Sequence, residues 1–230
     1  MRVATFNLKH GAPPHGYRGD PVRTAEACAA LGADVLALQE VDRGVPRSAG
    51  ADLASLVAQA TGMEVVFAQT MPFRGGQYGN ALLVRGEIDD VEIVPLQPGW
   101  RFWVRTEPRN AIVADVVVDG RRLAVAATHL STQRSASRGQ LAEVVDAIGH
   151  RPGPHVVLGD LNRTPSELDG HEATGRMVFA DGPPTFPTLK PVLRIDHVAV
   201  NGLEIRAVET RRMAVSDHLA LLAEVDWPTR

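Results

Sequence analysis

Short apolar segments that end in a polar side chain recur along this chain and constrain its fold more than any other feature. In the first half, a helical pattern over 21–31 leads to an apolar strand that ends at Glu40. In the second half, a helical pattern over 137–149 leads to a buried strand over 155–159, which Asp160 follows directly. Buried strands pack as sheets, and helices cover the outer faces of such sheets. The recurrence therefore predicts two similar layers that meet face to face.

The rest of the pattern supplies the other elements of these layers. Strands are predicted over 2–8, 34–40, 64–69, 80–85, 90–95, 111–118, 122–128, 155–159, 194–200, 203–208 and 218–225, and helices over 21–31, 52–61 and 136–149. Asp119-Gly120, between two of the strands, is a strong signal for a hairpin turn. No linker or low-complexity tract interrupts the pattern, and 230 residues suffice for one large core. We predict one domain, residues 1–230, of two mixed sheets with helices outside.

The composition excludes several classes of protein. Hydrophobic residues make up 44% of the chain, which is too many for a disordered protein. A single cysteine excludes an internal disulfide or a Cys-rich zinc site, and a net charge of −3 argues against a protein that coats nucleic acid nonspecifically. No apolar run approaches the roughly 20 residues of a membrane span, and the N-terminus lacks a signal-peptide pattern. We therefore predict no membrane span and a cytoplasmic location.

Six clusters of polar residues stand at the ends of predicted strands. A buried polar group without a partner is costly, so the clusters are expected to satisfy one another or a metal ion. They are Asn7, Glu40, His129, Asp160 with Asn162, Asp196, and Ser216-Asp217-His218. Carboxylates and amides without thiolates favour a hard cation such as Mg²⁺ or Mn²⁺. Histidines beside several carboxylates fit the hydrolysis of phosphate esters.

In this order, the polar clusters resemble the endonuclease/exonuclease/phosphatase superfamily. The matching motifs span residues 7–218 and are Asn7, Leu38-Gln39-Glu40-Val41, Gly79-Asn80-Ala81, Arg109, Thr128-His129-Leu130, Gly159-Asp160-Leu161-Asn162, Ile195-Asp196-His197 and Ser216-Asp217-His218. The family includes pancreatic-type deoxyribonucleases, abasic-site endonucleases, neutral sphingomyelinases and inositol polyphosphate 5-phosphatases. The resemblance implies an α+β fold, the four-layer αββα sandwich of two mixed β-sheets with helices outside.

The resemblance also implies a role for each matching residue. Glu40 is implied as the principal metal ligand, with Asn7 and Asp217 beside it at the Mg²⁺ or Mn²⁺ ion. Asp160 is implied as the group that orients or deprotonates the attacking water. The remaining implied residues are Asn162 at the phosphate or water, the catalytic His218 with its carboxylate partner Asp196, His129 at the phosphate, and Asn80 and Arg109 as further phosphate ligands.

The predicted function is a divalent-metal-dependent phosphoester hydrolase, and a phosphodiesterase in particular. Its predicted partner is the phosphoester substrate, either a nucleic acid or a lipid or small phosphodiester, and no obligate protein partner is evident. Arginines 101, 105, 109, 134 and 138 could form a local groove for nucleic acid. Asn80, in a stretch without carboxylates, is instead closer to the sphingomyelinase-like and deadenylase-like branches. The alternatives are a phosphomonoesterase of the same family and a non-catalytic binding protein on the same scaffold.

Several other side chains receive structural interpretations. Ser216 is expected to support its loop, and His197 to pack beside the site. The segment Trp100-Arg101-Phe102-Trp103-Val104-Arg105 either stacks bases or contacts lipid head groups, or it forms a small satellite core, which we favour slightly. The histidines expected to be solvated are His10, His15, His150, His155 and His171.

Overall fold

The computed structural model describes residues 1–98, 100–101 and 104–228. The predicted Trp100–Arg105 segment therefore lies outside the described residues. Its backbone is described only for 100–101 and 104–105, and its side chains are not described. The strands are β1 (Arg2–Asn7), β2 (Val35–Arg43), β3 (Glu64–Phe73), β4 (Gly76–Val84), β5 (Glu87–Leu96), β6 (Trp100–Arg101), β7 (Val104–Arg105), β8 (Arg109–Val118), β9 (Arg121–His129), β10 (His155–Asp160), β11 (Val178–Phe179), β12 (Asp196–Asn201), β13 (Glu204–Arg212) and β14 (Leu219–Asp226). The helices are α1 (Pro21–Ala29), α2 (Leu53–Thr61), α3 (Arg134–Gly149), α4 (Pro165–Leu168) and α5 (Glu172–Arg176), and 3-10 turns cover Lys9–Gly11 and Pro46–Ser48.

The long strands form two mixed six-stranded sheets. The first sheet has the order β13-β14-β1-β2-β4-β3 and the second has the order β11-β12-β10-β9-β8-β5. One pair in each sheet is parallel, β1 with β2 and β9 with β10, and the other ladders are antiparallel. Parallel neighbours need a long crossover connection, which α1 supplies in the first sheet and α3 in the second. The helix–strand recurrence in the sequence is therefore the second half of two crossover units.

Three apolar clusters define the layers. The central cluster joins Val35 and Leu82 of the first sheet to Ile112 and Val156 of the second, so it fills the space between the sheets. A second cluster packs α1 and α2 on the outer face of the first sheet. A third packs α3, α4 and α5 on the outer face of the second sheet. The result is a four-layer αββα sandwich, and the predicted fold class is confirmed.

The starts and ends of the first two helices follow ordinary capping rules. The side chain of Asp20 accepts a hydrogen bond from the backbone N–H of Arg23, and Asp52 accepts one from Ser55 in the same way. Each carboxylate thereby satisfies an N–H group that the first helical turn leaves unpaired. Gly62 ends α2 in the left-handed conformation, with φ of 66°.

Two parts of the chain differ from the sequence-based expectation. Strand β2 does not end at Glu40 but continues to Arg43, because a bulge between Leu38 and Val41 lets the ladder with β4 resume. The stretch between β10 and β12 also holds α4, α5 and β11, which are too short to produce a periodic signal. Within the described part of the chain, no helix is long and apolar enough to cross a membrane.

Candidate active site

A cavity of about 560 Å³ opens at the edge where strands of both sheets end. Of the ten predicted site residues, eight line this cavity: Asn7, Glu40, Arg109, His129, Asp160, Asn162, Asp217 and His218. Among the described residues, the other two, Asn80 and Asp196, lie behind its wall. The two sheets therefore bring most of the predicted residues together in one place.

Strand register explains this convergence. At the end of β10, Asp160 is directly opposite His129 of the parallel neighbour β9 and opposite Asp196 of the antiparallel neighbour β12. In the other sheet, Asn7 at the end of β1 is opposite Gln39, one residue before Glu40. The carboxyl ends of the parallel strands in both sheets thus meet at the cavity, which is where loops carry functional residues.

Asp160 is the buried centre of the site. Its Oδ1 accepts a hydrogen bond from the backbone N–H of Asn162 at 2.9 Å, and its Oδ2 accepts one from Nδ2 of Asn7 at 3.1 Å. The Nε2 atoms of His129 and His218 lie 3.6 Å and 3.9 Å from the same Oδ2. Burial and the negative charge of Asp196 at the start of β12 raise the pKa of Asp160.

His218 is held by a carboxylate behind it and by an aromatic ring beside it. Its Nδ1 lies 2.9 Å from Oδ2 of the fully buried Asp196, and the Phe186 ring packs at 4.8 Å between centroids. Burial alone would lower the pKa of His218, but the charge and hydrogen bond of Asp196 outweigh it and raise that pKa. Ser216 Oγ donates to the carbonyl of Asn7 and accepts from the N–H of His218, as expected for a hydroxyl that supports its loop.

His129 has a different partner, an arginine. Nη1 of Arg109 lies 3.0 Å from Nδ1 of His129, and Oε1 of Glu107 lies 2.9 Å from the same Nη1. A guanidinium can only donate hydrogen bonds, so Nδ1 of His129 must accept and the imidazole carries its proton on Nε2. Burial and the charge of Arg109 also lower the pKa of His129 well below its usual value. The surroundings of the two histidines at Asp160 therefore shift their pKa values in opposite directions, up for His218 and down for His129.

Asn7, which was expected at the metal ion directly or through water, has both ends of its amide in hydrogen bonds. Nδ2 of Asn7 donates to Oε1 of Glu40 at 3.0 Å as well as to Asp160, while its Oδ1 accepts from the N–H of Lys9. The amide thus presents its donor end to the two carboxylates. Glu40 sits at the bulge of β2 with φ of 56°, a left-handed conformation that costs a non-glycine residue roughly 1 kcal/mol or more.

Asn80 was expected to bind phosphate, and the structure gives it another setting. It lies within β4, is 2% exposed, and its Nδ2 donates to Oδ1 of Asn110 at 3.0 Å. The Asn110 carbonyl also accepts from Oγ1 of Thr128, so these side chains form a polar link between the sheets. An amide in this position supports the cavity wall.

Asn162 lines the cavity, as expected for a residue at the phosphate or the water. Its backbone has φ of 53°, and its Nδ2 donates to the carbonyl of Leu130.

The donor set fits a hard divalent cation. Carboxylates of Glu40, Asp160 and Asp217 face one cavity that also contains amide oxygens and no thiolate. Ligand-type atoms of Asp160, Asp196 and His218 also lie within 4.8 Å of one another. Because Nδ1 of His218 already bonds to Asp196, the open carboxylate face toward Glu40 is the better match for such an ion.

Sequence reasoning missed five polar residues that line the cavity, namely Lys9, His10, Tyr78, Glu107 and Thr132. Nζ of Lys9 donates to the carbonyl of Pro14 and lies 3.6 Å from Oδ2 of Asp217. The one available signal was the position of Lys9 and His10 directly after the Asn7 strand end. Tyr78 and Glu107 carried none, because neither stands at a predicted strand end.

Two histidines expected to be solvated are buried instead. His10 is 5% exposed, and its Nε2 donates to the carbonyl of Tyr17, while burial lowers its pKa. His171 is also 5% exposed, and its Nδ1 caps α5 by accepting from the N–H of Ala173. His197 is buried beside the site, as expected, and donates from Nε2 to the carbonyl of Arg163.

Comparison with known proteins agrees with this arrangement. The chain is 26% identical over 136 residues to a UPF0294 protein of Vibrio vulnificus, a match that covers 55% of the chain and 48% of that protein. The chain thus spans about half the length of the curated relatives it matches. An endonuclease/exonuclease/phosphatase from Beutenbergia cavernae DSM 12333 superposes with a TM-score of 0.79 at 24% identity, covering 99% of this chain and 71% of the other. The human Nocturnin catalytic domain, solved with bound sulfate, superposes with a TM-score of 0.73 at 21% identity, covering 99% and 93%.

A family model matches residues 4–218, which is nearly the whole chain and includes every strand-end motif described above. Its family comprises phosphoester hydrolases that depend on divalent metal ions. The family match, the sandwich fold and the convergence of the strand-end residues lead to the same conclusion: the chain belongs to the endonuclease/exonuclease/phosphatase family.

Proposed function

We propose that this protein is a phosphodiesterase that uses a divalent cation, Mg²⁺ or Mn²⁺, and a water nucleophile. The observation that carries the proposal is the buried Asp160 carboxylate between the imidazoles of His129 and His218, with Glu40 joined to it through Asn7. A carboxylate that is buried and hydrogen-bonded on both oxygens is suited to orient a water molecule and to take its proton. The phosphoester chemistry of the family supports the same reaction class.

The two histidines would bind the phosphoryl group from different sides of Asp160. His218, kept protonated by Asp196, would donate a charged hydrogen bond to an oxygen that gains negative charge during attack. His129 would donate from its Nε2–H, because Arg109 occupies its Nδ1. We propose that Asn162 contributes a further amide donor from its strained position at the end of β10.

Glu40, Asp217 and Asp160 are the residues that would hold the cation. When bound, such an ion supplies Lewis-acid stabilisation of phosphoryl charge and lowers the pKa of bound water. We propose that Asn7 has a supporting role, since its Nδ2 positions the carboxylates of Glu40 and Asp160. Asn80 would act further from the substrate by holding Asn110 at the sheet interface.

Hydrolysis of bis-p-nitrophenyl phosphate tests the proposed function. We expect release of p-nitrophenol with Mg²⁺ or Mn²⁺, loss of activity on addition of EDTA, and recovery when the metal is restored. The physical reason is that several carboxylates face one cavity and need a cation to offset their charge. Wild-type protein without such metal-dependent turnover would contradict the proposal.

A binding measurement makes the metal test independent of turnover. Mg²⁺ should raise the melting temperature of the wild-type protein, since a ligand at 100 times its Kd stabilises the folded state by about 2.7 kcal/mol. Glu40→Gln should remove this shift. The matched control is Glu87→Gln, an exposed glutamate at the start of β5, which should keep it.

Arg109→Met tests whether Arg109 positions His129. The substitution keeps the apolar stem and removes the donor to Nδ1, and we expect kcat to fall about 10–100-fold with little change in KM. The ¹⁵N chemical shifts of the His129 ring should show the Nε2–H tautomer in the wild-type protein and a mixture in the variant.

The kinetic split separates positioning from direct binding of phosphate. A rise in KM with unchanged kcat and an unchanged His129 tautomer would mean that Arg109 binds the substrate itself. Arg122→Met, which removes a half-exposed arginine paired with Asp89 and Asp115, is the matched control and should change neither quantity.

A further inference from the structure

Two aromatic rings and a guanidinium form a cluster close to residues that line the cavity, with Tyr17 and Arg74 exposed and Phe73 half-buried. Tyr17 comes from the loop before α1, Phe73 from the end of β3, and Arg74 from the turn that follows. The Arg74 guanidinium carbon lies 5.7 Å from the centroid of the Tyr17 ring and 5.6 Å from that of the Phe73 ring. We name these three residues the stacking patch.

Two cavity-lining residues join the stacking patch to the site. The Tyr17 carbonyl accepts from Nε2 of His10 at 2.9 Å, and their rings lie 6.0 Å apart, edge to face. The Phe73 ring lies 6.2 Å from that of Tyr78. Since His10 and Tyr78 both line the cavity, a substrate whose phosphate occupies it would extend over the stacking patch.

Among the described residues, no carboxylate pairs with Arg74. Two neighbouring arginines also stand over rings at 4.4 Å, but Arg43 pairs with Asp52 and Arg47 pairs with Asp42. Within the described residues, the exposed guanidinium of Arg74 makes neither a hydrogen bond nor an ion pair. An exposed cation without a carboxylate partner among the described residues is complementary to the anionic backbone of a nucleic acid.

The exposure of Tyr17 argues against a purely structural cluster. Its side chain is 53% exposed, so much of the ring surface is available to a partner. Planar rings together with a guanidinium are the groups on which unpaired bases stack. Stacking needs a free base face, which a single strand offers and an intact duplex does not.

We infer that the stacking patch of Tyr17, Phe73 and Arg74 is a subsite for a nucleobase next to the hydrolysed phosphate, which makes single-stranded nucleic acid the substrate class. This inference rests on the proposed phosphodiesterase function and adds to it a basis for choosing among phosphodiesters. Tyr17 offers a ring face to the base, and Arg74 contacts the base plane or the adjoining phosphate.

The test compares strands that differ only in their bases. Short fluorescent single strands of DNA and RNA show which of the two nucleic acids the wild-type protein cleaves faster. A matched strand of that type with abasic sites keeps the same phosphates but lacks the bases. We expect the wild-type protein to prefer the strand with bases. Tyr17→Ala and Arg74→Ala should each lower kcat/KM for the strand with bases about tenfold. Tyr17→Ala should leave the abasic strand unaffected, and Tyr17→Phe should retain wild-type rates.

Arg121→Ala is the matched control. Arg121 also stands over an aromatic ring, that of Trp227 at 4.7 Å, but at the opposite end of β9 from His129. The Arg121→Ala variant should cleave the strand with bases and the abasic strand at wild-type rates. Equal losses on the two strands in the Tyr17→Ala variant, or no loss on either, would overturn the inference.

Two further measurements separate the possible failures. Metal-dependent hydrolysis of bis-p-nitrophenyl phosphate without cleavage of any strand would overturn the inference and leave the proposed function standing, as would a preference for sphingomyelin vesicles. If bis-p-nitrophenyl phosphate is not hydrolysed, fluorescence anisotropy still tests the subsite. Wild-type protein should bind the strand with bases more tightly than the abasic strand, and Tyr17→Ala should abolish that difference; equal binding overturns the inference.

Discussion

Asp160→Asn is expected to lower kcat for phosphodiester hydrolysis by about 10²–10⁴-fold, the usual contribution of a positioned general base. The carboxylate is 1% exposed and sits 3.6 Å and 3.9 Å from the imidazoles of His129 and His218. Asparagine has the same shape but can neither take a proton from water nor offset the charge of His218. The measurement is the steady-state rate with bis-p-nitrophenyl phosphate at saturating Mg²⁺.

The same substitution should leave the protein folded, which separates a catalytic role from a structural one. Asparagine at this position gives up the hydrogen bond that Oδ2 accepts from Nδ2 of Asn7, worth about 1 kcal/mol, but it also removes a charge from a buried setting, which is costly to maintain. The two effects oppose each other, so the free energy of unfolding in EDTA should change little. A loss of activity that follows a loss of stability would contradict the catalytic assignment.

Asp115→Asn is the matched control for Asp160→Asn. Asp115 is likewise a buried strand carboxylate, 8% exposed, but it lies in β8 away from the cavity and beside Arg122 and Arg151. Its replacement should leave kcat unchanged. If both asparagine variants lost activity to the same degree, the effect would come from buried charge in general and not from the position of Asp160.

Much of the fold could be predicted because its central strands are buried on both faces. Near-continuous apolar runs such as 35–38 and 156–158 can only be satisfied inside a layered core. The repeated helix–strand pattern corresponds to the two crossover units, one in each sheet. The small elements between β10 and β12 could not be predicted in this way, because α4 and α5 have only four and five residues.

The residues of the site could also be predicted from the sequence, but the orientations of their side chains could not. Asn7 and Glu40 are neighbours as expected, yet the amide of Asn7 offers its donor end to the carboxylate. That orientation depends on the N–H of Lys9, which holds Oδ1, and on the bulge that turns Glu40 into the cavity. Both are consequences of tertiary pairing, which no spacing of residues along the chain encodes.

Residues that reach the cavity from within strands and loops were missed for a related reason. Tyr78 lies in the middle of β4 and Glu107 just before β8, where a sequence offers only an ordinary alternation of side chains. Arg109 was expected at the phosphate, and its contact with His129 arises because strands β8 and β9 pair. The lowered pKa of His129 is therefore a property of the sheet and not of a motif.

Asp42→Ala is expected to lower the free energy of unfolding by about 3–5 kcal/mol, because it leaves a largely buried arginine without its counter-ion. Both oxygens of the fully buried Asp42 accept from Arg47 at 2.8 Å, and Ser48 Oγ donates to the same carboxylate at 2.7 Å. Urea unfolding with linear extrapolation measures the change. Glu224→Ala is the control, since the Arg2–Glu224 ion pair is similarly short, at 2.7 Å, but both side chains are at least one-third exposed. This substitution should lower the free energy of unfolding by less than about 1 kcal/mol.

The buried pair also connects stability to the cavity. The Ser48 hydroxyl, which donates to Asp42, also lies 3.2 Å from the carbonyl oxygen of His10, and the Arg47 guanidinium covers the Phe73 ring at 4.4 Å. Loss of Asp42 should therefore loosen the loop that carries Tyr17 along with the rim of the cavity. The double variant Asp42→Leu with Arg47→Met removes both charges and should recover much of the lost stability. If Asp42→Ala cost no more than Glu224→Ala, or if the double variant were the less stable of the two, an unpaired buried charge would not be the cause, and the pair would contribute only through its packing.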